Sequence, residues 1–237
     1  MAPPIPSPKE IAQIPVDWIE ERSGLISVQN HLLFRNVPKD ISWLQTLGSG
    51  LITTFLIQAT TGVLLAMYYQ PTPEGAFSSI QYITDTATLG WMIRGMHKWG
   101  STMFVILLFL HMGRVFLMGS YKYPREMTWV TGALLFLMVM FMSLTGYLLV
   151  FDQRAYWASV VAININGSAP ILGPFIAEFL KVGPEFSQHT LSRFYSLHML
   201  AVPGGIMAFI GLHLWLVIRL GVSSPPWSKH RAKAGDL

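Results

Sequence analysis

The sequence predicts an all-α, polytopic membrane protein, a bundle of four transmembrane helices with short surface helices. Three observations carry this. Hydrophobic residues make up 52% of the 237-residue chain and charged residues 12%, about half the share of a soluble domain. Mean hydropathy is +0.45. Three uncharged runs, 43–69, 127–151 and 194–218, each exceed the ~20 residues that cross a bilayer. This composition excludes a disordered chain and an ordinary soluble globule. Nucleic acid is not an expected partner despite a net charge of +4, because the basic residues cluster at the ends of the apolar runs.

The elements follow in order. Residues 1–42 form an amino-terminal segment. Its Pro-rich start, Met1 to Pro8, has no apolar stretch that would make a secretory signal. Asp17–Arg22 reads as a short interfacial amphipathic helix. Residues 43–221 form the membrane domain. Its first span is 43–69. The second is 91–118, provided that Arg94, Lys98 and Arg114 snorkel or find partners. The third is 127–151 and the fourth 194–218. Residues 155–177 also lack charge, but Asn-Ile-Asn-Gly-Ser-Ala-Pro and Gly173-Pro174 interrupt them. They read as two short surface helices rather than a span. Residues 222–237 are a tail.

With four spans, both termini share a side with the loop between spans two and three. That side holds Lys9, Arg22, Arg35, Lys39, Arg114, Lys122, Arg125, Arg219, Lys229, Arg231 and Lys233. The other holds Arg94, Lys98, Arg154, Lys181 and Arg193. The positive-inside rule puts the termini on the cytoplasmic, stromal or matrix side, here the negative side. The long connection between spans three and four then lies on the positive side.

Four histidines lie in spans. His97 and His111 are fourteen residues apart on the second, and His198 and His213 fifteen apart on the fourth. At 1.5 Å rise per residue each pair is separated by roughly 21–22 Å, on about one helix face. Imidazole is costly in hydrocarbon unless paired or ligated. No Asp or Glu lies inside a span and the chain has no Cys, so two separated zinc or copper sites are poorly explained. Two facing histidines suit the axial positions of a low-spin haem iron. Spans two and four run parallel, so His97 meets His198 on the positive side and His111 meets His213 on the negative side.

The glycines repeat this step. Gly48 and Gly62 on span one, and Gly132 and Gly146 on span three, are each fourteen apart. Glycine costs about 1 kcal/mol in a helix relative to Ala, and a macrocycle passing a helix needs the gap it leaves. Arg94 lies three residues before His97, Arg114 three after His111, and Arg125 opens span three. These are candidate partners for haem propionates. The absence of Cys excludes a thioether-linked haem on this chain.

Residues FRNVPKDISWLQTLGSG, QATTGVLLAMYYQPTPEGAFSSIQYI, GWMIRGMHKW, YPREMTWVTG, TGYLLVFDQRAYWA and TLSRFYSLHML carry a resemblance. The chain resembles the amino-terminal, di-haem half of the cytochrome b family of quinol–cytochrome c and quinol–plastocyanin reductases, in its short form. The resemblance implies two non-covalent b haems, low-potential at His97/His198 and high-potential at His111/His213. It implies a Q cycle with proton translocation: quinol is oxidised near the positive side and a quinone reduced near the negative side. It implies a Rieske iron–sulfur protein, a c-type cytochrome and a dimeric complex in the lipid membrane of a bacterial or photosynthetic cell. Three departures stand out. Thr46 occupies the position where the short form carries a haem-linked Cys. The Pro-Trp pair expected after Gly146-Tyr147 is replaced by Leu148-Leu149, which predicts a straighter outer end of span three. The family's Pro-Glu-Trp-Tyr loop is expected on a separate subunit carrying the carboxy-terminal helices, so the chain alone is not expected to turn over.

Tyr147, Phe151 and the stretch Tyr156, Trp157 to Val161 are candidates for the positive-side quinol slot. The negative-side slot is expected near His213, Arg219 and the amphipathic segment around Trp18. No catalytic proton acceptor is identified. Two competing readings are a di-haem anchor of a dehydrogenase or hydrogenase, and a colourless transporter that relays protons through its histidines.

Overall fold

The computed structural model describes residues 7–24, 26–27, 42–183, 185–223 and 225–227. All regular structure among them is helical. The chain divides into two compact units, Met1–Ile41 with Val222–Leu237, and Ser42–Gly221.

In the first unit α1 spans Pro8–Ser23, extending in both directions the helix expected at Asp17–Arg22. Glu20 closes its end by accepting from the Ile26 N–H at 2.7 Å and from the Ser27 hydroxyl. The Ser27 bond holds the Glu20 carboxyl below its usual range.

In the second unit, a 3₁₀ turn at Trp43–Thr46 leads into α2, Leu47–Ala66. Then come α3 at Gly75–Asp85, α4 at Gly90–Leu117 and α5 at Glu126–Leu148. The connection that follows holds α6, Gln153–Gly167, and α7, Gly173–Lys181. The last helix, α8, is continuous over Gln188–Leu220, with a π-helical turn at Leu197–Ala201. Among the described residues, four helices are long and apolar enough to cross a membrane: α2 with its 3₁₀ turn, α4, α5 and α8. Their exposed Leu, Phe, Met and Trp side chains suit lipid, where a helix is viable because it satisfies its own backbone hydrogen bonds. α2 packs chiefly on α4, and α8 on α5.

The expected spans differ from the observed helices mainly at their ends. Span one stops at Ala66 rather than 69. Span three stops at Leu148 rather than 151, because Phe151 turns into the left-handed region with φ of 51°. Asp152 then caps α6, its Oδ1 accepting from Ala155 N at 2.7 Å. The chain therefore turns sharply where a straighter helix end was expected. Span four begins six residues early, at Gln188, and ends two late. The helix α3 sits in a connection to which hydropathy assigns no element. The interrupted segment 155–177 forms two short helices, as expected. A Cβ at Gly173 would lie 2.8 Å from the Asn166 carbonyl oxygen, so α7 starts hard against the end of α6 and the chain reverses there.

Two apolar clusters organise this unit. Leu108, Val139, Val202 and Ile206 are buried at mid-depth, between the levels of the histidine pairs. Leu148, Ile163, Leu180 and Phe194 join α5 to α6, α7 and the start of α8. Tyr69, past the end of α2, donates to the Leu149 carbonyl at 2.7 Å and stacks on Tyr195 at 5.7 Å. It satisfies a helix-end carbonyl that would otherwise lack a donor, and burial pushes its phenol pKa up.

Candidate cofactor site

Helices α4 and α8 bring the four histidines together in two pairs. The His97 and His198 rings lie 6.4 Å apart, centre to centre, at an interplanar angle of 75°. Imidazole–metal bonds of about 2.0–2.1 Å on opposite faces of one ion would put ring centres roughly 6.3 Å apart. The spacing therefore fits a bis-imidazole iron. His111 and His213 are likewise electrostatic neighbours at the other level.

Each histidine faces one of the four glycines singled out in the sequence. A Cβ on Gly62 would lie 3.3 Å from His97 Cε1, and one on Gly48 would lie 3.5 Å from His111 Cε1. A Cβ on Gly132 would lie 3.2 Å from His213 Cε1, and one on Gly146 only 3.0 Å from His198 Nε2. These gaps are the ones expected where a helix passes the edge or face of a macrocycle, and a histidine ring lies against each of them.

Sequence reasoning missed the threonines beside three of these glycines. Thr61 Oγ1 lies 2.9 Å from His97 Nδ1, Thr131 Oγ1 3.0 Å from His213 Nδ1, and Thr145 Oγ1 3.1 Å from His198 Nδ1. All three threonines are buried. Each hydroxyl donates to a carbonyl of its own helix: Thr61 to Ile57 at 2.6 Å, Thr131 to Met127 or Thr128 at 3.0 Å, and Thr145 to Met142 at 2.9 Å. Its oxygen is then free to accept the Nδ1–H of the histidine, which leaves Nε2 as the bare nitrogen that an iron needs. The signal was a Thr-Gly pair repeated at 61–62, 131–132 and 145–146. At the fourth histidine the equivalent residue, before Gly48, is Leu47.

The cations suit an anionic ligand at the His111/His213 level. Arg114 lies three residues past His111 on α4, and Arg125 precedes α5; basic side chains at these helix ends suit carboxylate neutralisation. Arg125 also donates to the Leu220 carbonyl at 3.1 Å, closing the end of α8. Arg94 lies one turn from His97, half-buried. Arg219 sits over the Trp215 ring at 5.5 Å.

The candidate slot residues divide. Phe151 and Tyr156 meet at 6.2 Å, and Tyr156 meets Phe186 at 5.0 Å. Phe186 was not anticipated. Tyr147, Trp157 and Val161 are exposed, and Trp157 donates to Gln153 Oε1 at 3.2 Å.

The fold and the paired histidines define an integral membrane protein of the haem-binding, electron-transfer class. Residues 33–221 match the family described as cytochrome b/b6/petB, and the chain belongs to that family, which binds b-type haem. It is 39% identical over 209 residues to cytochrome b6 of Synechococcus elongatus, covering 88% of this chain and 97% of the relative. It is 38% identical, with the same coverage, to cytochrome b6 of Gracilaria tenuistipitata var. liui. A solved chain of a hyperthermophilic respiratory Complex III superposes with a TM-score of 0.83 at 30% identity. That match covers 92% of this chain but 59% of the solved one, so this chain spans less than two thirds of its length.

Proposed function

We propose that this chain is the cytochrome b subunit of a quinol:cytochrome c or quinol:plastocyanin oxidoreductase complex. In this reading it carries electrons across the membrane through two b haems, ligated by His97/His198 and His111/His213. The observation that carries the proposal is the pairing of histidines at two depths, each ring seated on a glycine of the neighbouring helix. The similarity to cytochrome b6 proteins and to a Complex III chain supports it. When bound, the haems supply reversible one-electron transfer at two points along the membrane normal. His97, His198, His111 and His213 would hold the haem irons, with Thr61, Thr131 and Thr145 orienting three of the rings through Nδ1. Arg94, Arg114 and Arg125 neutralise propionates. The apolar layer of Leu108, Val139, Val202 and Ile206 keeps water out between the two levels.

Quinol is oxidised on the positive side, beside Phe151 and Tyr156, and quinone is reduced on the negative side near Arg219. Both termini lie on the negative side. A Rieske protein and a c-type cytochrome complete a dimeric complex. The test is a pyridine haemochrome count on the purified complex, followed by acid-acetone extraction of this chain. Two b haems, fully extractable, are expected. Haem that stays on the chain, or a count other than two, contradicts the proposal.

The threonines make a separate prediction. Donation from Nδ1–H makes an imidazole more electron-rich and favours ferric iron. Thr145→Val should therefore raise the midpoint potential of the His97/His198 haem. A hydrogen bond worth about 1 kcal/mol corresponds to about 40 mV for one electron. Thr145→Ser should restore the original value in a potentiometric titration. An unshifted potential in Thr145→Val would remove the threonine from the redox argument.

A further inference from the structure

The two histidine-bearing helices do not have the same spacing. His97 and His111 are fourteen residues apart on α4, while His198 and His213 are fifteen apart on α8. The glycines that receive them are fourteen apart on both α2 and α5. On a regular α-helix, fourteen residues end about 40° short of the starting face and fifteen end about 60° past it. The mismatch is one full residue step, about 100° of rotation and 1.5 Å of rise. It would swing one imidazole of α8 off its glycine. Yet His198 meets Gly146 and His213 meets Gly132 as closely as His97 meets Gly62.

The extra residue is taken up in the π turn, Leu197–Ala201, which contains His198 itself. There the Val202 N–H bonds to the Leu197 carbonyl, five residues back, so the turn holds one residue more than an α-turn. The sequence supplies a cause at the same place. Pro203 opens the α-helical segment that follows. A proline ring inside a helix collides with the carbonyl four residues before it, here that of Met199. A widened turn relieves that collision, and Gly204-Gly205 follow directly.

We infer that the π turn at Leu197–Ala201 is a register-correcting device that makes fifteen residues on α8 equivalent to fourteen, and so positions His198 opposite His97. Pro203 fixes the turn at the ligand. No comparable interruption occurs in α4, which is α-helical from Gly90 to Leu117 and has no surplus residue to absorb. The inference rests on the proposed assignment of the four histidines as haem ligands. It also carries an asymmetry: α8 should tolerate loss of one residue between its histidines, and α4 should not.

The experiment deletes single lipid-exposed residues in the complete complex and reads haem per chain, the optical spectra of the two b haems and the electron paramagnetic resonance signal of each bis-imidazole iron. Leu200 is 76% exposed within the turn and Ile106 is 48% exposed on α4. Deleting Leu200 together with Pro203→Ala, which removes the ring that holds the turn open, should straighten α8 into a fourteen-residue spacing and retain both haems at half or more of the unaltered content. Deleting Ile106 should lower one haem at least tenfold. Deletion of Met207, exposed on the later part of α8, shortens the same spacing from a second place and, combined with Pro203→Ala, should behave like the Leu200 deletion. Retention of both haems in either shortened α8 variant, alongside loss in the α4 variant, supports the inference. Loss in both α8 variants as severe as in the α4 variant overturns it. Fewer than two haems in the unaltered complex overturns the ligand assignment itself, and the inference with it.

Discussion

Gly146→Leu should cost the complex its His97/His198 haem and leave the other haem in place. The cause is steric. A Cβ at this position would already lie 3.0 Å from Nε2 and 3.1 Å from Nδ1 of His198, closer than the ring tolerates. The leucine side chain extends further into the space that the imidazole occupies. The ring has little room to retreat, because its Nδ1 also lies 3.2 Å from the Met142 carbonyl. Overpacking costs about 1–3 kcal/mol in a core, which is about a thirtyfold loss of occupancy at the middle of that range. Gly132→Leu should act on the His111/His213 haem instead, since its Cβ would meet His213. Gly211→Leu is the control. It also places leucine on a helical glycine, but nothing lies within 4 Å of the added carbon. Optical spectra at matched protein concentration decide the matter. Equal haem content in the Gly146, Gly132 and Gly211 variants would remove the glycine argument.

His111→Leu should separate the two redox centres. Leucine has no nitrogen to ligate iron, so the haem it shares with His213 is lost. The other pair is fourteen residues away along α4, about 21 Å, with the Leu108 cluster between the two levels. The His97/His198 haem should therefore assemble to near its normal level. Flash or stopped-flow reduction would then fill one haem and stop, with no transfer to a second. Selective loss of the His97/His198 haem in this variant would show that the pairing is wrong.

Much of this arrangement is legible in the sequence because lipid enforces simple rules. A span must be about twenty apolar residues long, and buried imidazoles must have partners. Those two constraints locate the helices and pair the histidines before any coordinates. What escaped depends on local detail that hydropathy does not weigh. The end of α5 is set by the left-handed Phe151 and the Asp152 cap, whereas the apolar run continues through 151. Helix α3 carries Gln, Tyr, Thr and Ser among its apolar residues and reads as a connection. The Thr-Gly pairs look like ordinary small-residue packing until the histidine nitrogens are seen against the hydroxyls. The π turn has only Pro203 and an odd spacing to announce it.

The leucine at position 47 gives the bundle a polarity. One pair of imidazoles is backed by two hydroxyls, from Thr61 and Thr145. The other has only Thr131, because Leu47 carries no hydroxyl for His111. Iron between two enriched imidazoles holds its electron less firmly than iron between one enriched and one ordinary imidazole. In the proposed assignment, an electron shared between the two haems then rests preferentially at His111/His213. Two chemically similar haems would thereby hold the electron unequally, and that bias is written in the residue that precedes each glycine.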